Sequence, residues 1–171
     1  MKQCRGGKGA FLSTFAAVAM AIGFLAGCSS QEDRATENLS AAQIGERIQQ
    51  AVSLDDMKQG GSDKLQKLYH IDVGEVEDFI LYTASSNVKA DELAVIKVKN
   101  AKQSESVKEK IKILEKIVQR IDAQTAKFKD YRPDEYYLIK KHVLKSNGPF
   151  IFFAVSKEAD QLDLAFDEAF K

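Results

Sequence analysis

Phe79-Ile80-Leu81-Tyr82-Thr83 and Leu93-Ala94-Val95-Ile96-Lys97-Val98-Lys99 are two short apolar runs rich in β-branched and aromatic residues. Side chains of that kind fit a pleated, half-buried surface, so both runs read as strands. Ser85-Ser86-Asn87 begins the link between them, and the turn extends to Asp91. The pair therefore reads as an antiparallel hairpin with a long connection. In the second strand Lys97 and Lys99 share one face while Ile96 and Val98 share the other, a partial alternation.

A second hairpin is expected near the C-terminus. His142 to Lys145 and Phe150 to Val155 flank Ser146-Asn147-Gly148, a tight-turn string, and Pro149 sits beside the turn, where a lost N–H costs little. Between the hairpins lies the longest helix. It starts at Asn100-x-x-Gln103 or at Ser106-x-x-Glu109 and runs to about Phe128. Val107, Ile111, Leu114, Val118, Ile121, Thr125 and Phe128 repeat at alternating steps of four and three, which is a heptad seam. Ile113 and Ile117 widen that stripe, as a helix packed across a sheet requires. The other reading is a coiled-coil contact with a partner, since a helix of this length outruns the width of a four-stranded sheet.

Asp130-Tyr131-Arg132-Pro133 stops the long helix, and Pro133 suits the first position of a short helix to about Lys140. A terminal helix follows Ser156-Lys157, with Ala159, Leu162, Ala165, Phe166 and Ala169 as its apolar face. Ahead of the first strand, Ser40-Ala41-Ala42-Gln43 is a capping box, and Ile44, Ile48, Ala51 and Val52 share one face of the helix it opens. After Gly60-Gly61 a second short helix carries Leu65, Leu68 and Tyr69. The order predicts an α+β fold: an antiparallel sheet of about four strands in a ββα-ββα-like arrangement, with helices mainly on one face and two short helices before it.

The N-terminus has a different character. Met1 to Gly9 carry Lys2, Arg5 and Lys8 and no acid, and Ala10 to Phe24 are apolar apart from Ser13 and Thr14. That is a charged region followed by a hydrophobic one too short to span a bilayer. It ends in Leu25-Ala26-Gly27-Cys28, which resembles a bacterial lipobox. Residues 1–27 are expected to be a lipoprotein signal peptide, and Cys28 to carry the lipid. Residues 28–38, mostly polar, read as a tether, and residues 39–171 as one domain. The expected address is the cell membrane, lipid-anchored on the extracytoplasmic face, with that covalent lipid as the only attached group.

Removing residues 1–27 takes the basic residues from 25 to 22 against 25 acids, a net charge of −3. Such a balance gives no electrostatic footprint for nucleic acid. Cys4 leaves with the signal peptide and Cys28 is consumed by lipid, so the domain must fold on its hydrophobic core without disulfides.

Candidate chemistry is sparse. His70 and His142 are the only histidines and lie on different elements without paired cysteines or spaced carboxylates, so no metal set is read. Asp91-Glu92 opens a strand and Asp134-Glu135 opens a helix. Paired carboxylates could do acid–base work if one were buried, but turn chemistry and helix-dipole complementation account for both. No Gly-x-Ser-x-Gly string is present, and no catalytic residue is assigned. Tyr69, Tyr82, Tyr131, Tyr136 and Tyr137 combine an apolar body with a polar tip, as interfaces favour. Tyr131, Pro133 and Tyr136 would form a surface corner if they face outward, and Ile113 and Ile117 would add an apolar strip if the long helix meets a partner.

Several strings together resemble an exported lipoprotein family of Gram-positive bacteria catalogued only as a domain of unknown function. They are Tyr69-His70-Ile71-Asp72, Ala90-Asp91-Glu92-Leu93-Ala94, Tyr131-Arg132-Pro133-Asp134-Glu135-Tyr136 and Gly148-Pro149-Phe150, within about residues 40–171. The resemblance implies Gly where His70 stands here and a shorter long helix, and it supplies no activity, substrate or catalytic residues. The absence of any chemistry-bearing set, together with the anchor, the tether and the over-long apolar helix, leads to the reading of a non-enzymatic interaction or accessory module at the cell envelope, with an envelope protein or a second copy as partner. The alternatives are a small-ligand-binding or sensing lipoprotein and a cell-envelope enzyme.

Overall fold

The computed structural model describes residues 38–99 and 103–171. The expected signal peptide, Cys28, all but Asn38 of the expected tether, and Asn100 as an expected helix start lie outside the described residues. The elements run α1 (Ala41–Ala51), β1 (Met57–Gln59), α2 (Ser62–Tyr69), a 3-10 turn (Val73–Glu75), β2 (Val76–Ala84), β3 (Glu92–Val98), α3 (Gln103–Phe128), α4 (Pro133–Lys140), β4 (Val143–Asn147), β5 (Phe150–Val155) and α5 (Ala159–Glu168). The strands form one antiparallel sheet in the order β1-β2-β3-β5-β4, so the class is α+β, as the sequence indicates.

Two details differ from the sequence reading. The described sheet has five strands rather than about four. The addition is β1, three residues whose Met57, Lys58 and Gln59 pair with Ala84, Thr83 and Tyr82. Met-Lys-Gln carries no β-branched or aromatic signal, and the strand exists because the free edge of β2 offers it hydrogen-bonding groups.

Helices also cover both faces, not mainly one. On one face Leu81, Ala94, Ile96, Val98, Ile151 and Phe153 pack with Leu65 and Tyr69 of α2, Ile113 and Ile117 of α3 and Ile139 of α4. On the other, Ile80, Leu93, Val95, Phe150, Phe152 and Ala154 pack with Ile44 and Ile48 of α1 and Leu162 and Phe166 of α5. The cause is in the central strands. Every residue of β3 and of β5 is buried, and Phe150-Ile151-Phe152-Phe153-Ala154-Val155 is apolar throughout, a pattern that needs cover on both sides. Lys97 is consequently only 5% exposed; its ammonium reaches out to Glu77 at 2.7 Å.

The helix starts are locally encoded. Ser40 Oγ accepts from the Gln43 N–H at 3.1 Å and Gln43 Oε1 accepts from the Ser40 N–H at 2.9 Å, closing the capping box. The Asp78 carboxylate on β2 accepts from the Ala41 N–H at 2.8 Å, so the sheet supplies the anion favoured at the N-terminus of α1. At the other end of α1, Arg47 donates to the Ala169 carbonyl at 2.6 Å and ties α1 to the end of α5. Pro133 occupies the first turn of α4. His70 ends α2 in the left-handed region, at φ 55° and ψ 29°. A residue without a Cβ adopts that conformation without strain, so the glycine implied by the family resemblance has a backbone reason rather than a chemical one.

The long helix α3 has 26 residues and spans about 39 Å, whereas five strands are about 19 Å across. Ile113 and Ile117 are fully buried against the sheet. They are core, so they cannot supply the exposed apolar strip expected of them.

Candidate functional site

Three features bear on function: a buried polar network, a cavity at one end of the sheet, and the outer side of α3.

The network is centred on Glu92, the first residue of β3, whose side chain is 1% exposed. Arg120 donates to it from Nε at 3.1 Å and Nη2 at 2.8 Å, Gln124 Nε2 donates at 2.7 Å, and the Tyr69 hydroxyl donates to Oε1. Burial first, then the Glu92 charge, pushes the Tyr69 phenol well above its ordinary pKa, so it stays a donor. The Arg120 guanidinium is also held above its usual range, because the Glu92 hydrogen bond and charge outweigh the cost of burial. Ile113 and Ile117 set a column on α3 that Arg120 and Gln124 continue at helical spacing, so the core face turns polar where it crosses Glu92. The sequence holds a signal for this: Arg120 is the only arginine in a helix otherwise supplied with lysines, and bidentate capture of a carboxylate needs a guanidinium.

A second buried carboxylate, Glu135 in the first turn of α4, accepts from the Ala90 N–H at 2.8 Å and pairs with Lys89 at 3.0 Å. Burial alone would raise its pKa, but the Ala90 N–H and the Lys89 ammonium outweigh it and hold the carboxyl below its usual range. The two acid pairs read from the sequence therefore meet at one end of the sheet and divide their roles. Glu92 and Glu135 are structural anchors, Asp134 is exposed, and Asp91 is half-buried.

Asp91 helps line a cavity of about 530 Å³ where the α1–β1, β2–β3 and β5–α5 loops gather. Its walls carry Asp55, Asp56 and Glu158 against Lys89 and Lys157, with hydroxyls from Ser53, Ser85, Ser86 and Ser156. Burial, then repulsion from Glu135, raises the Asp91 carboxyl above its ordinary pKa. A polar pocket of this size fits a small hydrophilic molecule.

The remaining candidates scatter. His70 is exposed and its carbonyl accepts from Lys116 at 2.7 Å; His142 Nδ1 lies 2.8 Å from the Ile139 carbonyl. Among the described residues no group of three or more His, Cys, Asp or Glu is arranged to hold a metal ion. Tyr131 is 83% exposed and Pro133 is exposed, but Tyr136 turns partly inward against the core, so the expected three-residue corner keeps two members outside. Tyr82 accepts from Gln49 at 2.7 Å, and Tyr137 lies under the Lys141 ammonium.

On α3, Val107, Ile111 and Val118 are each about half exposed, with Leu114 half-buried among them. The heptad seam thus divides: its C-terminal end at Phe128 enters the core, and its N-terminal two-thirds forms an apolar row on the outside.

A family model described as a domain of unknown function, DUF4358, matches residues 50–156, more than half of the chain. The chain belongs to the DUF4358 family. No curated protein and no solved structure matches it. The DUF4358 match begins in the last turn of α1 and ends just after β5. It takes in the whole described sheet, the Glu92 network and the outer row of α3, and leaves α5 outside.

Proposed function

We propose that this chain is a lipoprotein anchored through lipid on Cys28 to the extracytoplasmic face of the cell membrane. Its domain then works as a non-enzymatic interaction or accessory module at the envelope. The observation that carries the module reading is the outer row of α3. Val107, Ile111 and Val118 hold large apolar side chains about half in water along a helix that outruns the sheet beneath it. Contiguous exposed apolar surface of this kind favours a protein partner. The two deepest carboxylates, Glu92 and Glu135, are already engaged by structural donors, which speaks for a scaffold rather than a reaction centre. The anchor rests on the Leu25-Ala26-Gly27-Cys28 string after a positive and then apolar N-terminus. The covalent lipid is the only attached group in this reading, and the acidic balance of the mature chain directs it away from nucleic acid.

Crosslinking in cells with mass spectrometry of captured proteins tests the module. Val118→Lys and Ile111→Lys should abolish specific capture while the chain still accumulates folded; unchanged capture would sink the reading. For the anchor, Cys28→Ala should leave an unlipidated, uncleaved precursor. A second reading, favoured by the cavity around Asp91, is a small-ligand-binding or sensing domain; saturable binding of an envelope metabolite, lost in Asp91→Asn, would establish it.

A further inference from the structure

We propose that the partner of the outer row is a second copy of this chain, docked with the two α3 helices antiparallel. This rests on the interaction reading above and names its occupant.

The argument starts from the spacing. Val107, Ile111, Leu114 and Val118 are separated by four, three and four residues, the knob spacing of a two-helix seam. At about 100° per residue, the exposed row lies roughly 120° round α3 from Ile113 and Ile117, so a helix laid along it meets the flank of the domain and leaves the core undisturbed. Run antiparallel, the row matches itself in four layers: Val107 against the other copy's Val118, Ile111 against its Leu114, and the same two in reverse. The contact is isologous, as a closed dimer requires.

Charge supports the same direction. The outer edge of the row carries Lys108 and, one heptad on, Glu115, both exposed. Among the described residues neither has an ion-pair partner. In the antiparallel register Lys108 of each copy comes beside Glu115 of the other, within about two residues of level, or 3 Å along the axis. A parallel pairing would carry Lys108 and Glu115 of the two copies to opposite edges of the seam, so this contact forms only in the antiparallel arrangement. Run antiparallel, the row is thus self-complementary in both shape and sign. A seam of four layers is short, and anchoring both copies to one membrane raises their effective concentration and favours the pairing.

The test uses the full chain in its own membrane with Cys4→Ser, so that added cysteines report alone. Copies carrying Val107→Cys and copies carrying Val118→Cys, with different C-terminal tags, are expressed together and mildly oxidised. The mixed pair should crosslink and neither variant alone should. In the antiparallel register each position lies about 16 Å along the axis from its own counterpart, too far for a disulfide. Lys108→Glu in both copies should reduce the mixed crosslink severalfold, and adding Glu115→Lys should restore it. These residues are on the surface, so folding is not at issue. No mixed crosslink, equal crosslinking by either variant alone, or no rescue by the double charge reversal would overturn the dimer. Val118→Cys joined reproducibly to a different protein would also overturn it while leaving the interaction reading standing. Capture of nothing at all would remove both.

Discussion

At the scale of residues, the behaviour of two carboxylates and one phenol can be worked out from their surroundings. Glu92 is held by Arg120, Gln124 and Tyr69, so removing one donor leaves a charge still paired but short of a partner. Tyr69→Phe is expected to cost about 1.5–3 kcal/mol, the usual range for a hydrogen bond to a charged group, measured as a shift in urea midpoint with unchanged slope. Asp91 has no such set of donors. Its carboxyl is raised by burial and by Glu135, so the folded state binds its proton more tightly than the unfolded chain does. Stability from that proton is fully present below the ordinary carboxyl pKa and is lost as pH rises through the folded value. Asp91→Asn should therefore be more stable than the parent at neutral pH, and the advantage should vanish on acidification below the ordinary carboxyl range. An Asn variant no more stable at pH 7 would show that Asp91 carries no penalty. Neither role was legible beforehand. The sequence shows Asp91-Glu92 and Asp134-Glu135 as acid pairs, but which member is buried depends on which strand face turns toward α3 and α4. That is a matter of long-range packing.

At the scale of elements, α3 shows how far periodicity reaches. The heptad seam and its widening by Ile113 and Ile117 are readable in the sequence, and the reading of a helix packed on the sheet holds for Ile113 and Ile117. The pattern could not say which columns the sheet would cover. Ile113, Ile117 and Phe128 are buried, whereas Val107, Ile111 and Val118, equally apolar, stay half in water. The division has a measurable consequence one residue apart. Ile117→Ala removes buried methyl groups from a site with 0% exposure and should cost about 2–5 kcal/mol. Val118→Ala, at 47% exposure, should change the stability of the isolated domain by no more than about 0.5 kcal/mol. Equal costs would mean that the outer row is covered within the monomer. Three further features are legible as caps and turns: Ser40 and Gln43 at α1, Pro133 at α4, and Gly148, at φ 52°, in the β4–β5 turn. β1 escaped because three residues without a β-favouring side chain carry no periodic signal.

At the scale of the whole molecule, the central strands organise everything else. β3 and β5 pair with each other and each has a further strand on its outer side, so their backbone groups are bonded in both directions. Every residue in them is buried, and the two hydrophobic clusters share them, one on each face. Covering only one face would have left Leu93, Val95, Phe150 and Phe152 in water, which explains why an unbroken apolar strand such as β5 implies a layer on each side even where the helix pattern does not announce it. Since both clusters rest on the same two strands, neither can be exposed without loosening the other, and the strands should open only with the molecule as a whole. β1, by contrast, is joined to the sheet through β2 alone and buries little. Native-state hydrogen exchange should find the amides of Leu93–Ile96 and Ile151–Ala154 slowest, exchanging with the free energy of global unfolding and responding to urea with the full unfolding slope. The amides of β1 should exchange through local opening, faster by about two orders of magnitude or more and almost independent of urea. If β1 proved as slow as β3, the edge would belong to the cooperative unit, and the loops around the cavity that β1 helps to bound would be rigid as well. If the β3 and β5 amides exchanged at different free energies, the two helix layers would be separable units, contrary to a single core built on one shared sheet.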